Sequence, residues 1–287
     1  MKQEIGMAEK AADTEKWHGV LGWWGKLNPP FTPSEGELQI YEKHFRKISK
    51  RKNPHLLILG ATPSLRELGH ALGFEVTIVD INPEMVESAS KLITEKNPDE
   101  KIIIGDWLTV ELPESPFDII AADHSIINID YGEQPKLLLQ IRRFLKPDGL
   151  ALIATTIFQK ENLDLTWDDL VREANENPTR FENVLDRWLF AFKMMRYPEV
   201  RDPETRLYHL DAYDAKLDAL AAEGKIPKEM AEKLKYKMGK WAAVFLEKPE
   251  FEKMLGENGF ETLSAEHDRS HPFFRFQWIY TLRKNKG

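Results

Sequence analysis

Four short groups of residues stand where chemistry could be done, each at the carboxyl end of an apolar run. The run HLLILG (55–60) ends in Gly60-Ala61-Thr62-Pro63-Ser64. A small-residue turn of this kind lets backbone approach a ligand and aims helix N–H groups at an anion. EVTIVD (75–80) ends in Asp80, twenty residues after Gly60. A carboxylate there is placed to accept both hydroxyls of an adenosine ribose. KIIIGD (101–106) leads into Gly105-Asp106-Trp107, an acceptor for an adenine amine beside an aromatic wall. FDIIAAD (117–123) ends in Asp123-His124-Ser125. His124 is a candidate general base and Asp123 its acceptor or orienter.

These groups need strands to carry them, and the spacing supplies strands. A fifth run, GLALIATT (149–156), follows the same pattern. Near-continuous Ile, Leu, Val and Ala suit strands buried on both faces of a parallel sheet. Helix candidates at 64–72, 83–96 and 133–145 separate them, so the fold class is α/β, a doubly wound, mostly parallel sheet. Ligands of such sheets bind at the carboxyl ends of the strands, where the four groups lie.

The flanks differ in texture. Residues 1–53 are polar, with an aromatic break at Trp17–Gly25. Ser34 and Glu37 have capping-box spacing for a helix running to about Lys52. Residues 158–248 break the alternation and predict a helical insertion, with helices near 166–177, 179–196, 208–223 and 227–247. A short helix at 249–257 then leads to GFETLSAEH (259–267) and FFRFQWIYTLRK (273–284), two strands close enough in sequence to pair antiparallel. The units expected are an N-terminal helical lid (1–53), a cofactor-binding core (54–157), the insertion (158–248) and a closing helix with a strand pair (249–287).

In this order the segments resemble the class I S-adenosylmethionine-dependent methyltransferases, over 54–157 and the last strand pair. The resemblance implies a Rossmann-like sheet of seven strands with an antiparallel last strand. It also implies S-adenosyl-L-methionine as cofactor, with S-adenosyl-L-homocysteine as product. Gly60, Ala61, Thr62 and Pro63 would then lie at the methionine part and Asp80, Ile81 and Met85 at the ribose. Gly105, Asp106 and Trp107 would lie at the adenine, and Asp123 at the reactive end. FLKPDGLALI resembles the family's fifth-strand segment. The glycine loop departs from the family's Gly-x-Gly-x-Gly, because only Gly60 remains. Thr62 would resist positive φ and Pro63 removes a donor. A dinucleotide oxidoreductase is the rival, but its fingerprint needs glycine at Thr62 and Leu65.

The family's acceptor pockets imply Trp17, Trp23, Trp24, Trp188, Arg196 and Tyr197 as pocket residues. The same aromatics are also what a segment stapled to the core would use. Many amino-group methylating relatives carry Asn/Asp-Pro-Pro-Tyr after strand 4. Asp123-His124-Ser125-Ile126 stands here instead, which disfavours an amide or an exocyclic base amine. A small-molecule acceptor is expected. A protein or RNA acceptor, and a non-catalytic cofactor-binding or scaffold subunit, remain as alternatives.

Composition narrows the classes. Lys and Arg number 40 against 47 acids, a net charge of −7, which disfavours bulk binding to nucleic acid or anionic membrane. No cysteine is present, which excludes disulfides, thiolate metal sites and a cysteine nucleophile. The histidines show no metal-ligand spacing. No apolar run reaches a membrane span and the N-terminus has no apolar h-region, so a cytoplasmic globular protein is expected. The insertion could equally form a homodimer face.

Overall fold

A computed structural model describes residues 29–95, 97–112, 116–236 and 242–285. Trp17, His18, Trp23 and Trp24 lie outside them.

Helix α1 (Glu35–Ile48) begins where the capping box predicts: Ser34 Oγ accepts from Glu37 N, and Glu37 Oε2 accepts from Ser34 N. It stops at Ile48 rather than Lys52. There follow β1 (His55–Leu59), α2 (Pro63–Ala71), β2 (Glu75–Asp80), α3 (Pro83–Ser90), β3 (Lys101–Ile104) and β4 (Phe117–Asp123). Helix α4 (Gln134–Phe144) and the long β5 (Leu145–Phe158) complete the alternating half. The insertion holds α5 (Trp167–Glu176), α6 (Val184–Lys193), β6 (Leu207–His209), α7 (Leu210–Ala222), α8 (Lys228–Leu234), β7 (Ala242–Val244) and β8 (Leu246–Glu247). The chain closes with α9 (Lys248–Glu257), β9 (Phe260–Glu266) and β10 (Gln277–Lys284).

The main path of the sheet runs β3-β2-β1-β4-β5-β10-β9. The first five strands are parallel, and β10 inserts antiparallel between β5 and β9. These are the seven strands, with an antiparallel last strand, that were expected, and β8 pairs with β5 off this path. Successive side chains of β1 point to opposite faces of the sheet, and both faces are covered. Leu56 and Ile58 face a core shared with Tyr41 and Phe45 of α1, Leu65 of α2 and Val86 of α3. Leu57 and Leu59 face the opposite core, with Leu137, Leu138 and Ile141 of α4 and the insertion's aromatics. Each fully buried aliphatic side chain is worth about 1.5–3 kcal/mol, so a strand with two covered faces must be apolar throughout.

Three expectations are corrected. The apolar run at 101–106 is not buried on both faces: β3 is an edge strand, and Ile102 and Ile104 are each 47% exposed. The helix expected over 83–96 ends at Ser90, whose hydroxyl turns back to the Val86 carbonyl and offers the backbone a local alternative. The helix expected over 227–247 covers only Lys228–Leu234. Beyond it β7 pairs antiparallel with β6, and β8 adds to the end of β5. The β-branched and aromatic Val244 and Phe245 suit that pairing better than a helix.

Helix α1 braces both ends of the sheet. At its foot Arg51 donates to Asp118 Oδ1 (2.8 Å), and Lys146 Nζ and His55 N also reach that carboxylate, at 2.7 and 3.0 Å. Lys146, Arg51 and the His55 amide hold the Asp118 pKa below the usual value, against the burial that would raise it. Midway, His44 Nε2 lies 3.2 Å from both Glu266 of β9 and Thr281 of β10.

A second buried ion pair ties α2 to the loop before β3. Arg66, 3% exposed, donates through Nε and Nη2 to both oxygens of Glu100, at 2.9 and 2.6 Å, and through Nη2 to Ser90. Arg66→Met is expected to lower unfolding free energy by about 3–5 kcal/mol, because Glu100 keeps a buried charge with no counterion. Denaturant titration checks this, and Arg66→Met with Glu100→Leu should recover most of the loss. A neutral single variant would refute it.

Candidate functional site

The carboxyl ends of β1, β2, β3 and β4 bring the four groups together along one edge. Gly60 has φ +115°, a conformation open to glycine alone at low strain. Its N–H bonds the Val79 carbonyl, and the Trp107 indole N–H bonds the same oxygen at 2.6 Å. A Cβ on Gly60 would point between Ser125 Oγ (3.8 Å) and Trp107 Cζ2 (4.0 Å). The glycine therefore keeps clear the space these side chains border. Thr62 has φ −50°, so positive φ is needed only at Gly60, and Pro63 sits in the first turn of α2, where its missing donor costs nothing. The departure from a three-glycine loop is thus compatible with an open turn.

Asp80 is 8% exposed and accepts from Asn82 N at 2.8 Å. Burial raises its pKa to about 6, against the lowering by the Asn82 and Ile81 amides. Asn82 caps α3 by accepting from Glu84 N and Met85 N, which turns the chain away just after the carboxylate. Ile81 follows Asp80 directly and Met85 is buried in the first turn of α3. Asp106, 9% exposed, accepts from Leu108 N, and Gly105 packs against Val110.

At the end of β4 the chain turns sharply. His124 has φ +53°, uncommon for a residue with a side chain and a frequent mark of functional sites. Its carbonyl accepts from Asn128 Nδ2 at 3.1 Å, and Ser125 Oγ donates to the Leu59 carbonyl. Both bonds tie this turn down. Burial lowers the His124 pKa below the usual imidazole value, opposed by the Asp123 charge and by Gln277. Asp123 accepts from Thr62 Oγ1 at 3.0 Å, and burial raises its pKa despite His124 and Thr62.

Sequence reasoning expected residues 1–53 to cover the core but named no residue of α1 in the site. The Tyr41 hydroxyl faces Asp123, and burial pushes that phenol well above its usual pKa. Glu37, 4% exposed, is raised to about 7, mainly by burial, with Asp123 and Asp268 adding to the effect. Ser34 Oγ donates to Asp268 Oδ2 at 2.6 Å, and a Cβ on Gly36 would run into that carboxylate. The capping box pointed to Glu37 as a cap, but its spacing carried no sign of the site beyond.

Of the residues expected to form the acceptor pocket, Trp188, Arg196 and Tyr197 are among the described residues. Trp188 is a core residue, 2% exposed and packed against Phe31, Phe192 and Tyr236. Tyr197 packs on Trp167, and the Arg196 guanidinium lies over the Tyr197 ring.

This arrangement agrees with comparisons to known proteins. Residues 59–149 match the family described as a methyltransferase domain. A Plasmodium falciparum (isolate 3D7) phosphoethanolamine N-methyltransferase is 29% identical over 145 residues, 49% of this chain and 52% of that protein. The chain thus spans about half the length of the curated relative it matches. Among solved structures, the CcbJ methyltransferase of Streptomyces caelestis is 12% identical, with a TM-score of 0.56 over 93% of this chain and 96% of its own. A Burkholderia thailandensis 1,6-didemethyltoxoflavin-N1-methyltransferase, solved with 1,6-didemethyltoxoflavin and S-adenosylhomocysteine, is 12% identical. Its TM-score is 0.53 over 100% of this chain and 94% of its own. A Rhodobacter sphaeroides protein described among Zn-dependent alcohol dehydrogenases shares the fold at 17% identity, with a TM-score of 0.60 over 96% of this chain and 99% of its own. Residues 59–149 thus resemble a methyltransferase domain, and the strand order is the Rossmann-like one that these solved structures share.

Proposed function

We propose that the protein is an S-adenosylmethionine-dependent methyltransferase acting on a small-molecule acceptor by in-line displacement. The observation that carries this reading is the open Gly60 turn beside the buried Asp80, on adjacent parallel strands. Asp80 is desolvated, and the Asn82 and Ile81 amides offset only part of the rise that burial gives its pKa. Hydroxyl donors from a ribose would offset its burial cost. Gly60, Ala61, Thr62 and Pro63 would border the methionine part, Asp80, Ile81 and Met85 the ribose, and Gly105, Asp106 and Trp107 the adenine. The bound cofactor supplies a methyl already activated on a sulfonium.

The protein's part is alignment, exclusion of water and removal of a proton. His124 takes the proton of the acceptor's nucleophilic atom, and Asp123, anchored by Thr62, stabilises the imidazolium that results. Residues 1–53 act as a lid and 158–248 as the specificity region or a dimer face, with Trp17, Trp23, Trp24, Arg196 and Tyr197 toward the acceptor. The similarity to a phosphoethanolamine N-methyltransferase supports a small acceptor. Among the described residues, no helix is long and apolar enough to cross a membrane.

Calorimetric titration with S-adenosylmethionine, S-adenosylhomocysteine and NAD tests the reading. Micromolar affinity for the two sulfur compounds is expected. A folded protein that binds neither would overturn it, and binding of NAD alone would make the site a dinucleotide site.

A further inference from the structure

Beside the edge strand β3, a cavity of about 190 Å³ opens between α2, the end of α3 and the segment leading into β3. Arg66 and His70 of α2, Ser90 at the end of α3, Asn97, and Ile93 with Ile102 form most of its wall. It lies toward the amino end of β3, whereas Asp106 follows the carboxyl end of that strand. None of these residues is among those assigned to the cofactor.

The hydrogen-bonding groups of the wall do not balance. Both oxygens of Glu100 already accept from Arg66. The Ser90 hydroxyl accepts from Arg66 Nη2 and donates to the Val86 carbonyl. Asn97 Oδ1 accepts from Asp99 N at 3.0 Å. Three donors are left over. Arg66 Nη1, in a side chain 3% exposed, is buried and has no acceptor. Asn97 Nδ2 and the His70 ring have no partner among the described residues. A covered N–H without an acceptor is destabilising, and a guanidinium N–H gains most from meeting an anionic oxygen. Glu95 also borders the cavity but is exposed, where solvent and salt screen its charge. Ile93 and Ile102 make one side of the wall apolar. The volume is below the roughly 300–1,000 Å³ of a drug-sized site and close to the roughly 150 Å³ that accepts a benzene ring.

We propose that this cavity binds a small organic carboxylate of about six non-hydrogen atoms. Its oxygens accept from Arg66, Asn97 and His70, and its carbon chain lies on Ile93 and Ile102. An inorganic anion would leave the apolar side unused, and a neutral amide would forgo the charge-assisted bond to Arg66. The inference stands apart from the methyltransferase reading.

Magnetic resonance titration with butyrate, butyramide and inorganic phosphate, read on the Asn97 side-chain amide and the backbone amides of 97–102, tests the proposal. Butyrate is expected to give a saturable shift with a dissociation constant of about a millimolar, as its few atoms allow. Butyramide and phosphate should bind at least about tenfold more weakly. Asn97→Ala should weaken butyrate about tenfold, and Ile102→Trp should abolish its binding by filling the apolar side. Arg66→Met with Glu100→Leu should abolish it too, since the donor is gone and no unpaired charge stays behind. Thermal unfolding confirms that each variant folds. Asn97 and Ile102 are only partly buried, so their variants keep the test open if the double variant does not fold. No saturable shift with butyrate would overturn the proposal. So would undiminished binding in the Asn97 and Ile102 variants, or an equal response to phosphate or butyramide. S-adenosylhomocysteine titrated into the same samples separates the failures, because its failure to bind would sink the cofactor reading alone.

Discussion

Asp80→Asn is expected to weaken S-adenosylmethionine binding by about a hundredfold or more while making the unliganded protein more stable. Hydrogen bonds to a charged acceptor contribute about 1.5–3 kcal/mol each, and two ribose hydroxyls would use this one. The opposite effect on stability follows from burial. The folded-state pKa of Asp80 is about 6, above its ordinary 3.8. The native state therefore holds this proton more tightly than the unfolded chain does. Above pH 6 the full penalty of a buried charge applies, of order 2–3 kcal/mol. As pH falls from about 6 to about 4 the penalty is relieved. Asparagine removes it at neutral pH, keeps an acceptor for Asn82 N, and should raise the melting temperature by a few degrees. Ligand affinity should also decline in the wild type as pH drops through 6. Calorimetry and thermal unfolding together decide the matter. A variant that melts lower and binds normally would remove Asp80 from the site.

His124→Asn should lower turnover by about a hundredfold to ten-thousandfold, the usual range for a positioned base, with cofactor affinity little changed. Asparagine tolerates left-handed backbone better than most residues, so the φ of +53° is kept. Burial holds the His124 pKa below 6.5, so the ring is neutral and competent at pH 7. Activity should fall only on acidification, and the acid limb should vanish in the variant. The stability sign is the same. The unfolded chain takes this proton first, so stability declines as pH falls below 6.5 toward the folded pKa. The variant should lack that decline. Single-turnover kinetics with an acceptor that the wild type methylates would settle it, and a variant retaining full activity would make His124 a turn residue only.

Much of this was legible because burial on two faces writes long apolar runs, and ligand sites follow such runs at their carboxyl ends. That logic places Gly60, Asp80, Asp106 and Asp123 on adjacent strands. It misjudged β3, since an edge strand and a central one can share a composition such as KIII. It failed after Leu234, where AAVFLE pairs as strands through partners elsewhere in the chain. Gln277 and Tyr41 were invisible for a related reason. Each is set by tertiary packing, which no local spacing in the sequence announces.

The tie between Ser34 and Asp268 spans 234 residues of sequence. Contacts that far apart form late, since the loop they close must first exist. During synthesis α1 emerges before any of the sheet, yet Asp268, Glu266 and Thr281, which hold it, emerge last. The ligand end of the sheet thus cannot be finished until β9 and β10 have left the ribosome. A chain cut short before residue 260 would lose more than two strands, because α1 would keep its apolar seat on β1 and α2 but lose the ties from Asp268, Glu266 and Thr281 that hold it over the site. Assembly of the site in this way waits on the strands that follow it furthest along the chain.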